Sequence, residues 1–189
     1  MQIIIAGVSR SGKSTLAREI CKRLGFFFIP GDPLISTLEE LYPETGIHHC
    51  DDNRTFSPDL AVFIDRYLQH IAYEELDVVI DLYQLFPIDY QKVLRPHDIK
   101  IVYLGYSSLT AEEKLQDIRL YERKNDWTAE TSDDALIKII EQFLTESSMM
   151  RDQCRTYQIP FFDTGTCFAQ SIDDAARWIY ESMRKFPRR

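Results

Sequence analysis

Gly7-Val8-Ser9-Arg10-Ser11-Gly12-Lys13-Ser14 matches the pattern G-x-x-x-x-G-K-[ST] at every fixed position. Before it, residues 2–6 form a short, β-branched apolar run that reads as a fully buried strand. After it, Leu16, Ala17, Ile20, Cys21 and Leu24 share one face at helical spacing, and Gly25 supplies a stop. The motif therefore stands at a strand-to-helix junction, which is where its chemistry needs it. The two glycines let the backbone curl so that successive N–H groups point inward. The helix N-terminus adds partial positive charge, and Lys13 adds a full one. Such a cradle fits the phosphates of ATP, with Gly7, Ser9, Arg10, Ser11, Gly12, Lys13, Ser14 and Thr15 as the contacting set and Lys13 on the β/γ phosphates. The Ser14 hydroxyl is the expected Mg²⁺ ligand, because magnesium prefers hard oxygen donors.

Outward from the loop, strand-like and helix-like segments alternate. Residues 26–29 read as a strand closed by Pro30-Gly31, and Asp32-Pro33 reads as an N-cap and first helical residue. A helix to about residue 41 follows, then a polar loop over 42–57. Ser57-Pro58 opens a helix whose Leu60, Phe63, Ile64, Tyr67, Leu68 and Ile71 form a core stripe. Residues 77–80 form a third strand ending on Asp81, 87–94 a short helix, and 99–104 a fourth strand. Thr110-Ala111-Glu112-Glu113 is a capping box for a helix to about 124. A polar break over 125–131 surrounds Trp127, which reads as a hinge contact or an anchor to the core. A long helix over 132–155, a fifth strand over 159–162 and a helix over 171–185 capped by Ser171 complete the chain. Alternation of this kind demands crossover connections and a parallel sheet covered on both faces. The expectation is one α/β domain over 1–189.

Composition narrows the function. The 189 residues carry 22 Lys+Arg against 30 Asp+Glu, a net charge of −8. Residues 1–24 are net +4, residues 25–81 net −10 and residues 82–189 net −2. An acidic chain lacks the broad electropositive face of a nucleic-acid binder. No apolar run approaches the ~18 residues of a membrane span. The opening residues lack a basic segment of the secretory kind, and Cys21, Cys50, Cys154 and Cys167 are far apart. The expectation is a cytoplasmic protein with free thiols, monomeric or homodimeric, with no nucleic-acid or membrane partner.

A triphosphate site calls for a carboxylate at the end of a neighbouring strand. Asp77-Val78-Val79-Ile80-Asp81 offers one, so Asp81 is the candidate to hold the metal or its water. A strand-terminal turn residue is the plainer alternative. Asp98 precedes its strand and faces the other edge. His48-His49-Cys50-Asp51-Asp52 has the residue types of a metal site, but adjacent histidines share no face in regular structure. It reads as an acceptor-side loop.

The Lys-Ser-Thr ending of the motif, the short chain, the strand-terminal aspartate and the arginine-bearing segment before the last strand together resemble the small P-loop kinases. That superfamily includes adenylate, shikimate, gluconate and deoxynucleoside kinases. The resemblance implies a three-layer P-loop NTPase fold, a five-stranded parallel sheet of order 2-3-1-4-5, an acceptor-binding region over about 32–75 and a small helical lid over about 115–132. By position, Asp32 matches the acid that orients the acceptor hydroxyl for in-line attack, although it also suits a helix cap. Arg119 and Arg123 match lid arginines that neutralise the transferred phosphoryl group, although a solvated, self-paired helix face is the alternative. Asp163, Thr164 and Gly165 match the loop that wraps the adenine, although a plain turn would look the same.

One departure from the nucleotide kinases bears on the second substrate. Residues 25–81 contain no lysine, and only Arg54 and Arg66 among twelve acids. A dianionic acceptor would enter a repulsive field there. The expectation is an ATP- and Mg²⁺-dependent kinase acting on a hydroxyl of a neutral or cationic small molecule, nucleoside- or sugar-like. Two alternatives stand beside it. One is a nucleoside-monophosphate kinase using Arg54 and Arg66 on the acceptor phosphate. The other is an NTP-binding switch or regulatory ATPase without a small acceptor, although no N-K-x-D guanine-reading motif is present.

Overall fold

Along the first strand, successive side chains enter two different cores. Ile3 and Ile5 face one side of the sheet, and Ile4 and Ala6 face the other. The third and fourth strands repeat the pattern, with Val79, Val102 and Leu104 on the first side and Val78, Ile80, Ile101 and Tyr103 on the second. A strand buried on both faces has no polar alternation, which is why these segments read as continuous apolar runs. The computed structural model describes residues 1–49, 52–97, 99–124 and 126–184. Asp98, Cys50, Asp51, Asn125 and Lys185 lie outside the described residues.

The strands are β1 (Gln2–Gly7), β2 (Phe27–Pro30), β3 (Val78–Leu82), β4 (Lys100–Gly105) and β5 (Phe161–Asp163). They form one parallel sheet of order β2-β3-β1-β4-β5, as expected. The helices are α1 (Lys13–Leu24), α2 (Gly31–Leu41), α3 (Ser57–Tyr73), α4 (Pro87–Asp89), α5 (Ala111–Tyr121), α6 (Asp133–Tyr157) and α7 (Phe168–Arg184). Leu16, Ala17 and Ile20 of α1 and Ile172, Ala175, Ala176 and Ile179 of α7 cover one face. Ile35 of α2, Leu60 and Ile64 of α3 and Phe143 and Met150 of α6 cover the other. Burying each of the leucine, isoleucine, phenylalanine and methionine side chains among these contributes about 1.5–3 kcal/mol. A third cluster, Ala111, Ile118, Leu136 and Ile140, fixes α5 on α6. Among the described residues, no helix is long and apolar enough to cross a membrane.

Several expected boundaries shift, each for a local reason. The helix expected to run from 110 to 124 ends at Tyr121, although its Thr110–Glu113 capping box forms in full. The expected short helix near 87 is one turn that continues as a π turn, Tyr90–Leu94. α7 begins at Phe168, so Ser171 is not its cap; the Ser171 hydroxyl donates to the Asp163 carbonyl at 2.6 Å instead. The most consequential shift concerns α2. It begins at Gly31, and Asp32 sits inside the first turn, where its side chain caps nothing.

Candidate active site

All five strands run in parallel, so their C-terminal ends gather on one edge, where ligands bind in open α/β sheets. β1 delivers the chain there into Gly7, at φ 134°. A Cβ at Gly7 would lie 1.9 Å from the Leu104 carbonyl oxygen, so no other residue fits against β4. Arg10 (φ 60°) and Gly12 (φ 96°) are also left-handed, and Gly12 is the N-cap of α1. These inversions curl the backbone into the phosphate cradle. The first turn of α1 contains no acid, so its positive end is not neutralised locally.

Around the loop lies a cavity of about 870 Å³. From the expected set it is lined by Ser9, Arg10, Gly12, Lys13, Ser14, Thr15, Asp32, Asp81, Thr164 and Gly165. Gly7 and Ser11 build the loop rather than the wall; Ser11 is fully buried and its hydroxyl donates to the Val8 carbonyl. The Lys13 ammonium donates to the same carbonyl at 2.7 Å. Burial pushes its pKa down to about 8, partly offset by the Asp32 and Asp81 carboxylates. A desolvated amine at a helix N-terminus favours an anion beside it, because an anion stabilises its charged form.

Asp81 connects three elements. One carboxylate oxygen accepts from the Ser14 hydroxyl at 2.5 Å, and the other accepts from the Gly31 N–H at 3.0 Å. This buried acid at the end of β3 is thus the cap of α2, a role the sequence suggested for Asp32. Asp32 is released to line the cavity, exposed and on the Lys13 side. Ser14 and Asp81 present two hard oxygen donors at the mouth of the loop, a donor set that fits Mg²⁺.

In the segment expected as a lid, the two arginines meet partners other than the cavity. Arg119 donates to Asp133 (2.6 and 2.9 Å), Glu122 (3.0 Å), and the carbonyls of Thr128 (2.7 Å) and Thr131 (2.6 Å). Its guanidinium is spent on folding the segment after α5, and it does not line the cavity. Arg123 is exposed and also outside the cavity wall. The cations that do line it are Arg10, Lys13 and Lys114. The Arg10 guanidinium reaches across to the lid, donating to Asp126 (3.1 Å) and Thr128 (2.9 Å). Trp127 is 46% exposed and faces the cavity with Ile118, Tyr121 and Phe168, rather than anchoring to the core.

Lys114 is the cavity-wall cation that sequence reasoning missed. It follows the capping box directly, where a lysine looks like a solvated helix position, yet it is only 6% exposed. The one signal available was its place on the α5 face that carries Ala111 and Ile118.

On the acceptor side, both expected arginines are withdrawn. Arg54 forms a two-pronged pair with Asp52 at 2.7 and 2.6 Å, which holds that carboxyl below its usual range. Arg66 contacts Gln69, which contacts His97 just before β4, at the opposite edge of the sheet from the phosphate loop. His49 bridges Ser36 of α2 (3.1 Å) and the buried Gln84 (3.2 Å). Among the described residues, no group of three or more His, Cys, Asp or Glu side chains is arranged to hold a metal ion. Glu146 of α6 is buried, accepts from Tyr83 (2.7 Å) and Asn53 (3.3 Å), and has its pKa raised by burial. Asp163 is a brace: its carboxylate accepts from Ser107 and Ser108 (both 2.8 Å) and the Gly165 N–H (2.9 Å).

Comparison with solved structures bears out the fold. A shikimate kinase from Bacteroides thetaiotaomicron is 20% identical with a TM-score of 0.58, the match covering 96% of this chain and 97% of that one. A shikimate kinase from Acinetobacter baumannii, solved with shikimate, is 20% identical with a TM-score of 0.51 over 95% and 90% of the two chains. The YorR protein from Bacillus subtilis, in complex with phosphorylated GDP, is 17% identical with a TM-score of 0.52 over the full length of both. No protein-family model and no curated protein matches the chain. The chain shares its fold with these structures.

Proposed function

We propose that the protein is an ATP-dependent phosphotransferase that moves the γ-phosphoryl group to a hydroxyl of a small, phosphate-free acceptor, neutral or cationic and nucleoside- or sugar-like. One observation carries this reading: Asp32 is freed from helix capping by Asp81 and stands in the cavity beside Lys13. A carboxylate there can accept the acceptor's hydroxyl proton and aim its oxygen at the γ-phosphorus. The loop amides and Lys13 hold the β and γ phosphates, Thr164 and Gly165 border the nucleotide, and Arg10 ties the lid to the loop. Ser14 and Asp81 are the residues that would hold Mg²⁺, which when bound neutralises phosphate charge and bridges phosphate oxygens. Catalysis of this kind is positioning plus electrostatics.

The acceptor class follows from charge. The carboxylates that line the cavity are Asp32, Asp81, Asp117 and Asp126, while Arg54 is already paired with Asp52 and Arg66 lies at the far edge. A two-arginine grip on an acceptor phosphate would require both residues to leave these partners. A regulatory ATPase, in turn, would have no use for a carboxylate at Asp32. Cys21, Cys154 and Cys167 are free thiols, which fits work in the cytoplasm. The test is a thermal-shift panel with a non-hydrolysable ATP analogue and nucleosides, polyols, amino-sugars and nucleoside monophosphates. Added stabilisation by a phosphate-free acceptor is the expected result. Stabilisation by ATP alone supports the switch, and by monophosphates alone the monophosphate kinase.

A further inference from the structure

The loop's amides can face a phosphate only if its carbonyls face elsewhere. A trans peptide is planar and places each C=O opposite the following N–H. Whatever holds a loop carbonyl outward therefore holds the next amide inward. Three consecutive loop carbonyls are each held by a side-chain donor. Val8 accepts from the Ser11 hydroxyl at 2.8 Å and from Lys13 at 2.7 Å. Ser9 accepts from the Tyr106 hydroxyl at 2.8 Å. Arg10, the left-handed residue of the loop, accepts from the Lys114 ammonium at 3.0 Å.

We propose that Lys114 is a positioning residue of the phosphate loop: by clamping the Arg10 carbonyl it holds the Ser11 amide toward the phosphates. The inference rests on the nucleotide-binding reading above. Position and chemistry both support it. Lys114 is buried on the cavity wall, and its ammonium lies 4.2 Å from the centre of the Tyr106 ring. That ring is fully buried, and its hydroxyl clamps the preceding carbonyl. The aromatic face partly replaces lost hydration of the cation. Lysine and tyrosine thus act as one bracket: β4 leads into Tyr106, α5 supplies Lys114, and the bracket grips two successive loop carbonyls. A non-glycine residue in the left-handed region needs such outside support. Because Lys114 starts the helix that leads into the lid, the bracket also ties the lid's base to the loop.

The test compares ADP with adenosine by titration calorimetry on the full chain, for wild type, Lys114→Met, Lys114→Arg and Tyr106→Phe. A misaligned amide harms only the phosphate-dependent part of binding. Lys114→Met is expected to weaken ADP about 10–100-fold, as losing a charged hydrogen bond from a buried carbonyl costs about 1–3 kcal/mol. Adenosine should change less than about twofold, since the carbonyl clamp does not touch the nucleoside. Lys114→Arg keeps a cationic donor and should regain most of the loss. Tyr106→Phe should lose about 3–10-fold, again for ADP alone. ADP affinity unchanged in Lys114→Met overturns the proposal, as does an equal loss for ADP and adenosine, which would mark a scaffold role. If Lys114→Met does not fold, Tyr106→Phe decides alone, and unchanged ADP binding overturns the proposal. A wild-type chain that binds no ADP overturns the nucleotide reading as well, so the two failures are told apart.

Discussion

Asp81 takes the capping role that the sequence also offered Asp32, and this has measurable consequences. Asp-Pro before an apolar stripe is a sound capping signal, yet capping of α2 comes from a carboxylate fifty residues away in the chain. No local pattern carries that information. Asp32→Asn should therefore leave the melting temperature within about 1 °C, as for a surface change, while lowering phosphoryl transfer about 10²–10⁴-fold. Full turnover would show that Asp32 neither orients nor deprotonates the acceptor. The buried amines allow a second prediction. Lys13 and Lys114 are both lowered to about 8 in the free protein, by burial before any other cause. A bound polyphosphate favours their charged forms and raises both. ADP binding near pH 8.5 should then take up protons, while near pH 6.5 both amines are already charged and the uptake vanishes. Calorimetry in two buffers of different ionisation enthalpy reads this directly; no buffer dependence at pH 8.5 would contradict it.

Among the elements, the strands and α1 were legible because their signals are local: apolar runs, helical spacing, glycines at the turn and a capping box at Thr110. The segment expected as a lid contains the helix its capping box signalled, but its arginine contacts were not legible. Arg119 and Arg123 share a face by spacing, but spacing does not show which anions a guanidinium meets first. Arg119 meets Asp133, Glu122 and two carbonyls of its own segment. Arg119→Ala should speed hydrogen exchange across residues 127–131, with ADP affinity kept within about threefold because the residue lies off the cavity wall. A loss as large as that of Lys13→Ala would return Arg119 to the phosphates. The junction of α2 with β3 offers another test. A Cβ at Gly31 would stand 2.1 Å from the Asp81 carbonyl oxygen. Gly31→Ala should cost about 1–3 kcal/mol of stability through overpacking, and a neutral outcome would mean that α2 is free to shift from β3.

For the molecule as a whole, the order β2-β3-β1-β4-β5 brings together groups that the chain keeps far apart. It sets the loop after β1 beside the acid ending β3, and α5 above both. The charge split of the sequence acquires a place in this frame. The basic head forms the phosphate cradle, and the acidic stretch supplies Asp32 and the region beyond it. Composition pointed to that asymmetry; only the fold shows that Arg54 and Arg66, its two exceptions, are withdrawn. The most direct test of the account follows the γ-phosphoryl group. With γ-labelled ATP, Mg²⁺ and a panel of nucleosides, polyols, amino-sugars and nucleoside monophosphates, label should appear on the hydroxyl of a phosphate-free acceptor. It should vanish in Lys13→Ala. Label found only on nucleoside monophosphates, or released only to water, would contradict the account.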